Sequence, residues 1–167
     1  GEYSIFTLYS SIAVMVLYLG MDQSLVRFFY DKESLDYKRS LLHKCIRVPI
    51  LLCGIALLAV FAIVKTNIWT FELGNIVLAL LCVYTFIQVV YRFSLLLVRS
   101  QYKSKVYSTL GIINKIVYVV LALAFLQSRK LGDSISLILA LTIAAAVCLL
   151  VSIVCEKSLW LGKTSNF

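Results

Sequence analysis

The sequence has few of the side chains that a water-soluble surface requires. Charged residues make up only 14% of the 167 residues, whereas 62% are hydrophobic, and the mean hydropathy is +0.96. Soluble domains average about 25% charged and about 45–50% apolar residues. The composition therefore excludes an ordinary soluble domain. It predicts an all-α, polytopic membrane protein whose exterior is covered by lipid.

Residues that build metal sites, disulfide frameworks and acid–base centres are also scarce. His43 is the single histidine, and the five cysteines contain no C-x-x-C pair and lie mostly in apolar runs. Such cysteines are typical of small buried apolar side chains. No Asp or Glu falls deep in an apolar run, and general acid–base chemistry needs such a group at a reactive site. We therefore predict a membrane transporter and not an enzyme, with no metal site and no cofactor.

Five apolar runs are long enough to cross a bilayer, which requires about 17–25 residues. They cover residues 3–20, 47–64, 75–98, 107–126 and 134–155. We interpret the chain 1–167 as one transmembrane helical unit. Pro49 falls in the first turn of the second run, where a helix tolerates the missing N–H. The long connection 21–46 has leucines at roughly helical spacing, which predicts an amphipathic helix on the cytoplasmic face; a solvated loop is the alternative.

Basic residues are unevenly distributed between the connections. Alternate connections carry eleven basic residues on one side of the membrane and three on the other. The more basic side is predicted to be cytoplasmic. This places the Gly1 end outside and the Phe167 end inside a bacterial inner (plasma) membrane. The net charge of +8 is then a feature of membrane topology, and we predict no nucleic-acid binding.

Two basic residues, Arg92 and Lys115, lie inside the apolar runs. A charge at the bilayer centre costs about 2.5–3.5 kcal/mol on the insertion scale, so such residues usually face a cavity or a partner. Arg92 shares a helical face with Tyr84, Gln88 and Arg99, and Tyr118 lies on the same face as Lys115. Alternatively, Arg92 snorkels to the interface and the tyrosines form an interfacial belt. Cationic and amide donors without a carboxylate favour an anionic ligand such as a phosphate.

Three segments resemble a known family. Residues 20–30, GMDQSLVRFFY, resemble the G-x-D-x-(S/A)-x-x-R-(F/Y)-(F/Y) stretch after the second helix of polysaccharide flippases. These proteins include the O-antigen, capsule and teichoic-type exporters of the multidrug/oligosaccharidyl-lipid/polysaccharide superfamily. Residues 2–6, EYSIF, resemble the family's start of that helix, with Ser4 where glycine is usual. Arg92-Phe93-Ser94, together with Arg99, resembles the junction between family helices four and five.

The resemblance covers nearly the whole chain and carries expectations about fold and function. It implies helices 2–6 of the N-terminal lobe of a twelve-helix protein, so that this chain is a fragment. The implied activity is alternating-access export of an undecaprenyl-pyrophosphate-linked oligosaccharide in surface polysaccharide biosynthesis. The implied partners are the lipid-linked oligosaccharide, membrane lipids, a polysaccharide polymerase and the chain-length machinery.

The resemblance and the polar faces together predict two groups of site residues. The pyrophosphate and glycan cavity is predicted to be lined by Arg92, Lys115, Gln88, Asn114, Tyr84 and Tyr118. A cytoplasmic gate or helix-end ion pair is predicted from Asp22, Arg27 and Arg99, with a purely structural pair as the alternative. Two other functions stay open. A cation-coupled drug or metabolite exporter of the same superfamily would need carboxylates in the helices that this chain is expected to lack. A membrane interaction protein without transport activity would have to be stable alone.

Overall fold

The computed structural model describes residues 1–32, 34–65, 75–128 and 132–160, and every regular element in these ranges is a helix. The helices are α1 (Glu2–Tyr18), α2 (Met21–Phe28), α3 (Leu35–Lys65), α4 (Asn75–Ser100), α5 (Ser104–Ser128), α6 (Asp133–Cys155) and α7 (Lys157–Trp160). Helices α3 to α6 are long and apolar enough to cross a membrane, and the bent pair α1–α2 raises the number to five. The prediction of an all-helical chain with several membrane-spanning helices is therefore confirmed.

Apolar side chains cover much of the outer surface of the bundle. Met15, Leu58 and Val154 are each about seven-tenths exposed, and many other leucines, isoleucines and valines are also exposed. The interior is small by comparison and contains the fully buried side chains of Phe29, Leu42, Phe93 and Leu97. An apolar exterior of this extent matches hydrocarbon and not water.

Helices α1, α4 and α6 run in the same direction. Phe6, Val77 and Ile138, near their first residues, form one buried cluster. At the other end, Tyr30 Oη donates a hydrogen bond to the Ser100 carbonyl, and α4 is followed by residues that contact Glu156. We call this second end the basic end. The basic side chains of the described residues near it are Arg27, Lys32, Lys38, Arg39, Lys44, Arg47, Arg99, Lys103, Lys105 and Lys157. The predicted orientation also counted three basic residues that lie outside the described residues: Arg129, Lys130 and Lys163.

The region 21–46 is largely helical, as its leucine spacing predicted, but its helices are arranged differently from the prediction. Helix α2 occupies its first part, and α3 begins at Leu35 and continues without interruption into the second span. Helix α3 has 31 residues, about 46 Å at 1.5 Å per residue, and so exceeds the hydrocarbon thickness of about 30 Å. Pro49 consequently lies inside α3 and not in a first turn. The helix continues through it because the preceding turn, with Cys45 and Ile46, is packed into the core.

The break between α1 and α2 lies at Leu19 and Gly20. Both residues have a positive φ, 43° and 75°, and the helices on either side are bent by 52°. A left-handed conformation costs an L residue roughly 1–2 kcal/mol, whereas glycine adopts it readily. Gly20 therefore allows α1 to end here and α2 to turn toward α4, which brings Asp22 into contact with that helix.

We expect Gly20→Ala to lower the free energy of unfolding by about 1–2 kcal/mol, because alanine must adopt the left-handed conformation. Nothing lies within 4 Å of the added Cβ, so a steric clash does not contribute. The matched control is Gly54→Ala, which also has open space but lies inside α3. It should leave stability unchanged or raise it by up to about 1 kcal/mol. Denaturation in mixed detergent micelles measures both, and equal effects would contradict this role of Gly20.

Candidate functional site

Arg92 connects α4 to the bent pair α1–α2. It lies eight residues before the end of α4 at Ser100, about 12 Å along the helix. Its Nη2 is 3.3 Å from Oδ2 of Asp22, and its guanidinium lies over the Tyr18 ring at 4.7 Å from the ring centroid. The Arg92 side chain is 49% exposed and that of Asp22 is 14% exposed. Arg92 therefore has protein partners at its depth in the bundle, although half of its side chain stays accessible.

The partner of Asp22 differs from the prediction. An ion pair of Asp22 with Arg27 was one prediction from the sequence, but in the structure Asp22 pairs with Arg92. Residues five apart on a helix point about 140° away from each other, so Asp22 and Arg27 occupy different faces of α2. The Arg27 guanidinium lies over the ring of Phe28 at 5.7 Å.

A polar cavity of about 230 Å³ lies between α1 and α4, on the side of Arg92 away from the basic end. Its lining residues are Thr7, Ser10, Ser11, Val14, Met15, Tyr84, Gln88 and Arg92. Gln88 Nε2 donates to Tyr84 Oη at 2.7 Å, and Tyr18 Oη donates to the Gln88 carbonyl at 3.1 Å. The predicted polar face of α4 therefore lines an open cavity beside α1, and Arg92 is one of the lining residues.

A larger cavity of about 810 Å³ lies on the other side of Arg92, at the basic end. It is lined by Asp22, Gln23, Val26, Arg27, Tyr30, Arg92, Leu96, Arg99, Ser100 and Tyr102. Three of these residues are arginines, and the one carboxylate, that of Asp22, is already paired. The lining is therefore net positive and suits an anion. Because Arg92 lines both cavities, the Asp22–Arg92 ion pair lies at the junction between them.

Tyr30 lines the larger cavity and connects two of the helices around it. Desolvation and, next, the neighbouring Tyr102 side chain raise the pKa of Tyr30, so its hydroxyl stays protonated at neutral pH. This hydroxyl donates to the Ser100 carbonyl at 2.9 Å and ties the end of α2 to the end of α4.

The predicted residues on α5 have different surroundings. Tyr118 Oη donates to Tyr3 Oη at 3.2 Å and so joins α5 to the start of α1. Asn114 hydrogen-bonds the buried Tyr91 of α4, which indicates a contribution to helix packing. Lys115 is exposed on α5. The structure thus places Tyr84, Gln88 and Arg92 on one cavity, and Arg92 also lines the other cavity with the predicted gate residues. The lining of the two cavities does not include Asn114, Lys115 or Tyr118.

Sequence reasoning missed Glu156, at the C-terminal end of α6. Its side chain is 2% exposed and accepts hydrogen bonds from Lys103 Nζ at 2.8 Å and from Gln101 Nε2 at 2.5 Å. These contacts fix the α4–α5 connection to the end of α6. A carboxylate at the end of an apolar run is usually solvated. Glu156 and Lys103 are about fifty residues apart in the sequence, and no pattern in the sequence indicates that they meet.

Comparisons with known proteins do not assign this site. No protein-family model, no curated protein and no solved structure matches the chain. Within the described ranges, no group of three or more His, Cys, Asp or Glu side chains is arranged to hold a metal ion. A functional proposal therefore rests on the chemistry of the two cavities and on the sequence resemblance.

Proposed function

We propose that this chain belongs to a bacterial plasma-membrane transporter that flips an undecaprenyl-pyrophosphate-linked oligosaccharide by alternating access. The observation that carries the proposal is the Asp22–Arg92 pair between a polar and a basic cavity in an otherwise apolar bundle. A pyrophosphate head requires charge-assisted donors, which arginine supplies in a planar fork. An uncharged sugar requires only a polar lining. The resemblance to polysaccharide flippases favours the same ligand.

The two cavities divide these tasks between them. Arg27 and Arg99, at the basic end, receive the charged headgroup first, and Arg92 holds it deeper in the bundle. The amide of Gln88 and the hydroxyl of Tyr84 offer hydrogen bonds to the sugar beyond Arg92. In the arrangement that the resemblance implies, a second lobe faces this one, and Lys115 contributes a further cation to the shared interior.

A cation-coupled exporter is less well supported by the carboxylates of the described residues. Asp22 is paired with Arg92, and Glu156 is paired with Lys103. A cationic drug or a coupling cation would have to compete with a fixed basic side chain at each position. A membrane interaction protein without transport activity has no need of a basic cavity between its helices. The lining therefore favours the anionic ligand.

The proposal is tested on Lys115 in the complete protein. Lys115→Ala should abolish export of the glycan without lowering the amount of protein in the membrane, because a cation for the pyrophosphate is lost. Lys105→Ala is the matched control, since Lys105 is exposed near the start of the same helix. Surface glycan is measured in cells that depend on this transporter. Wild-type export from both the Lys115→Ala and the Arg92→Ala proteins would refute the site.

A further inference from the structure

Asp22 occupies the position at Arg92 that a ligand anion would need. Its Oδ2 lies 3.3 Å from Arg92 Nη2, which is longer than the roughly 2.7–2.9 Å of a strong charge-assisted hydrogen bond. The Arg92 side chain is half exposed and lines the larger cavity on one side of the pair. A phosphate oxygen accepts from a guanidinium as a carboxylate oxygen does. An anion in the larger cavity can therefore compete with Asp22 for the same donor.

We infer that Asp22 is an internal competitor for a pyrophosphate-type anion at Arg92. The anion, which enters the larger cavity from the basic end, replaces Asp22 on the guanidinium. This inference rests on the proposed function, which it deepens by naming the residue that sets the affinity for the headgroup.

Asp22 keeps other stabilising contacts when it leaves Arg92. Asp22 Oδ1 accepts a hydrogen bond from the Gln23 backbone N–H at 2.9 Å, and this contact does not involve Arg92. The residue lies in the first turn of α2, where the helix dipole stabilises a negative charge. Helix α2 is also held without the ion pair, because Leu25 and Phe29 are buried in the core. Exchange of partners at Arg92 therefore needs a side-chain rotation and not the departure of α2.

The test measures pyrophosphate binding to the purified complete protein in detergent micelles. Asp22→Asn removes the competing charge and should bind sodium pyrophosphate about two- to fivefold more tightly than the wild type, as for an ion pair whose arginine is half exposed. Asp22→Glu keeps the carboxylate and should bind as the wild type does. Asp36→Asn is the matched control: it breaks the Asp36–Arg39 pair, which has a similar length and lines neither cavity, and should leave the affinity unchanged.

A parallel titration with farnesyl pyrophosphate separates the two sources of the anion. If farnesyl pyrophosphate binds more tightly than sodium pyrophosphate, the site is assigned to a lipid headgroup. If the two bind equally, it is assigned to a soluble anion. The higher affinity of Asp22→Asn is expected with both ligands. Equal affinities of wild type and Asp22→Asn would overturn the inference and leave the proposed headgroup site intact. Weaker binding by Asp22→Asn would overturn it as well, since Asp22 would then organise the site. Absence of binding to every variant would overturn the inference together with the headgroup site.

Discussion

Export of the lipid-linked glycan is expected to be abolished by Arg92→Ala in the complete protein. The substitution removes the one side chain that lines both cavities. A hydrogen bond to a charged group contributes about 1.5–3 kcal/mol, so binding of the headgroup should weaken about ten- to a hundredfold. Arg92→Lys keeps the charge but loses the planar fork, and an intermediate level of export is expected. Surface glycan and the membrane level of the protein are measured side by side.

A loss of export in Arg92→Ala has a second explanation, which the ion pair itself provides. Asp22 is largely buried and would be left without its partner. The double variant Asp22→Asn with Arg92→Gln removes both charges and leaves no unpaired carboxylate. If the guanidinium binds the ligand, this variant is abundant in the membrane and inactive. Restored export in it would show that Arg92 is needed only to neutralise Asp22. Arg47→Ala, which changes an exposed arginine of α3, should export normally.

The largest effect on stability is expected at Lys103. Lys103→Met leaves the Glu156 carboxylate buried, with Gln101 as its remaining partner among the contacts described above. An uncompensated buried charge is costly. Lys103 itself is 43% exposed, however, and solvent screening reduces the stabilisation that is lost with it. We expect the free energy of unfolding to fall by about 2–3 kcal/mol. Denaturation in mixed detergent micelles gives this value.

The double variant Lys103→Met with Glu156→Gln separates the charge from the loss of the lysine side chain. It leaves a neutral amide in place of the carboxylate and should be more stable than Lys103→Met alone, because the buried charge is gone. Lys105→Met is the matched control, as Lys105 is exposed two residues later in the chain. If Lys103→Met and Lys105→Met change the free energy of unfolding equally, the Lys103–Glu156 ion pair does not contribute to stability.

Much of the helical framework was predictable because hydrocarbon imposes a length and a composition on each span. The third span was predicted at 75–98 and α4 covers Asn75–Ser100; the fifth was predicted at 134–155 and α6 covers Asp133–Cys155. The start of α3 was not predictable in this way. Residues before Arg47 are outside any apolar run, so hydropathy gives no signal for them, and their helix is held by packing of Leu42 and Ile46 in the core.

The candidate site was only partly predictable, for a related reason. The spacing of Tyr84, Gln88 and Arg92 placed them on one face of α4, and these residues do line one cavity. The partner of Arg92, however, is seventy residues away in sequence, and its position depends on the bend at Gly20. The same holds for Glu156 and Lys103, which meet only because α6 ends beside the α4–α5 connection.

The amino-acid sequence by itself determined that this protein is helical, that its helices are long and apolar enough to cross a membrane, and which face of α4 is polar. These properties depend on local composition and on the 3.6-residue period of a helix. The tertiary structure alone decided which carboxylate meets which cation: Asp22 with Arg92, and Glu156 with Lys103. Ion pairs between helices depend on how the helices bend and pack, and no local pattern in the chain encodes that geometry.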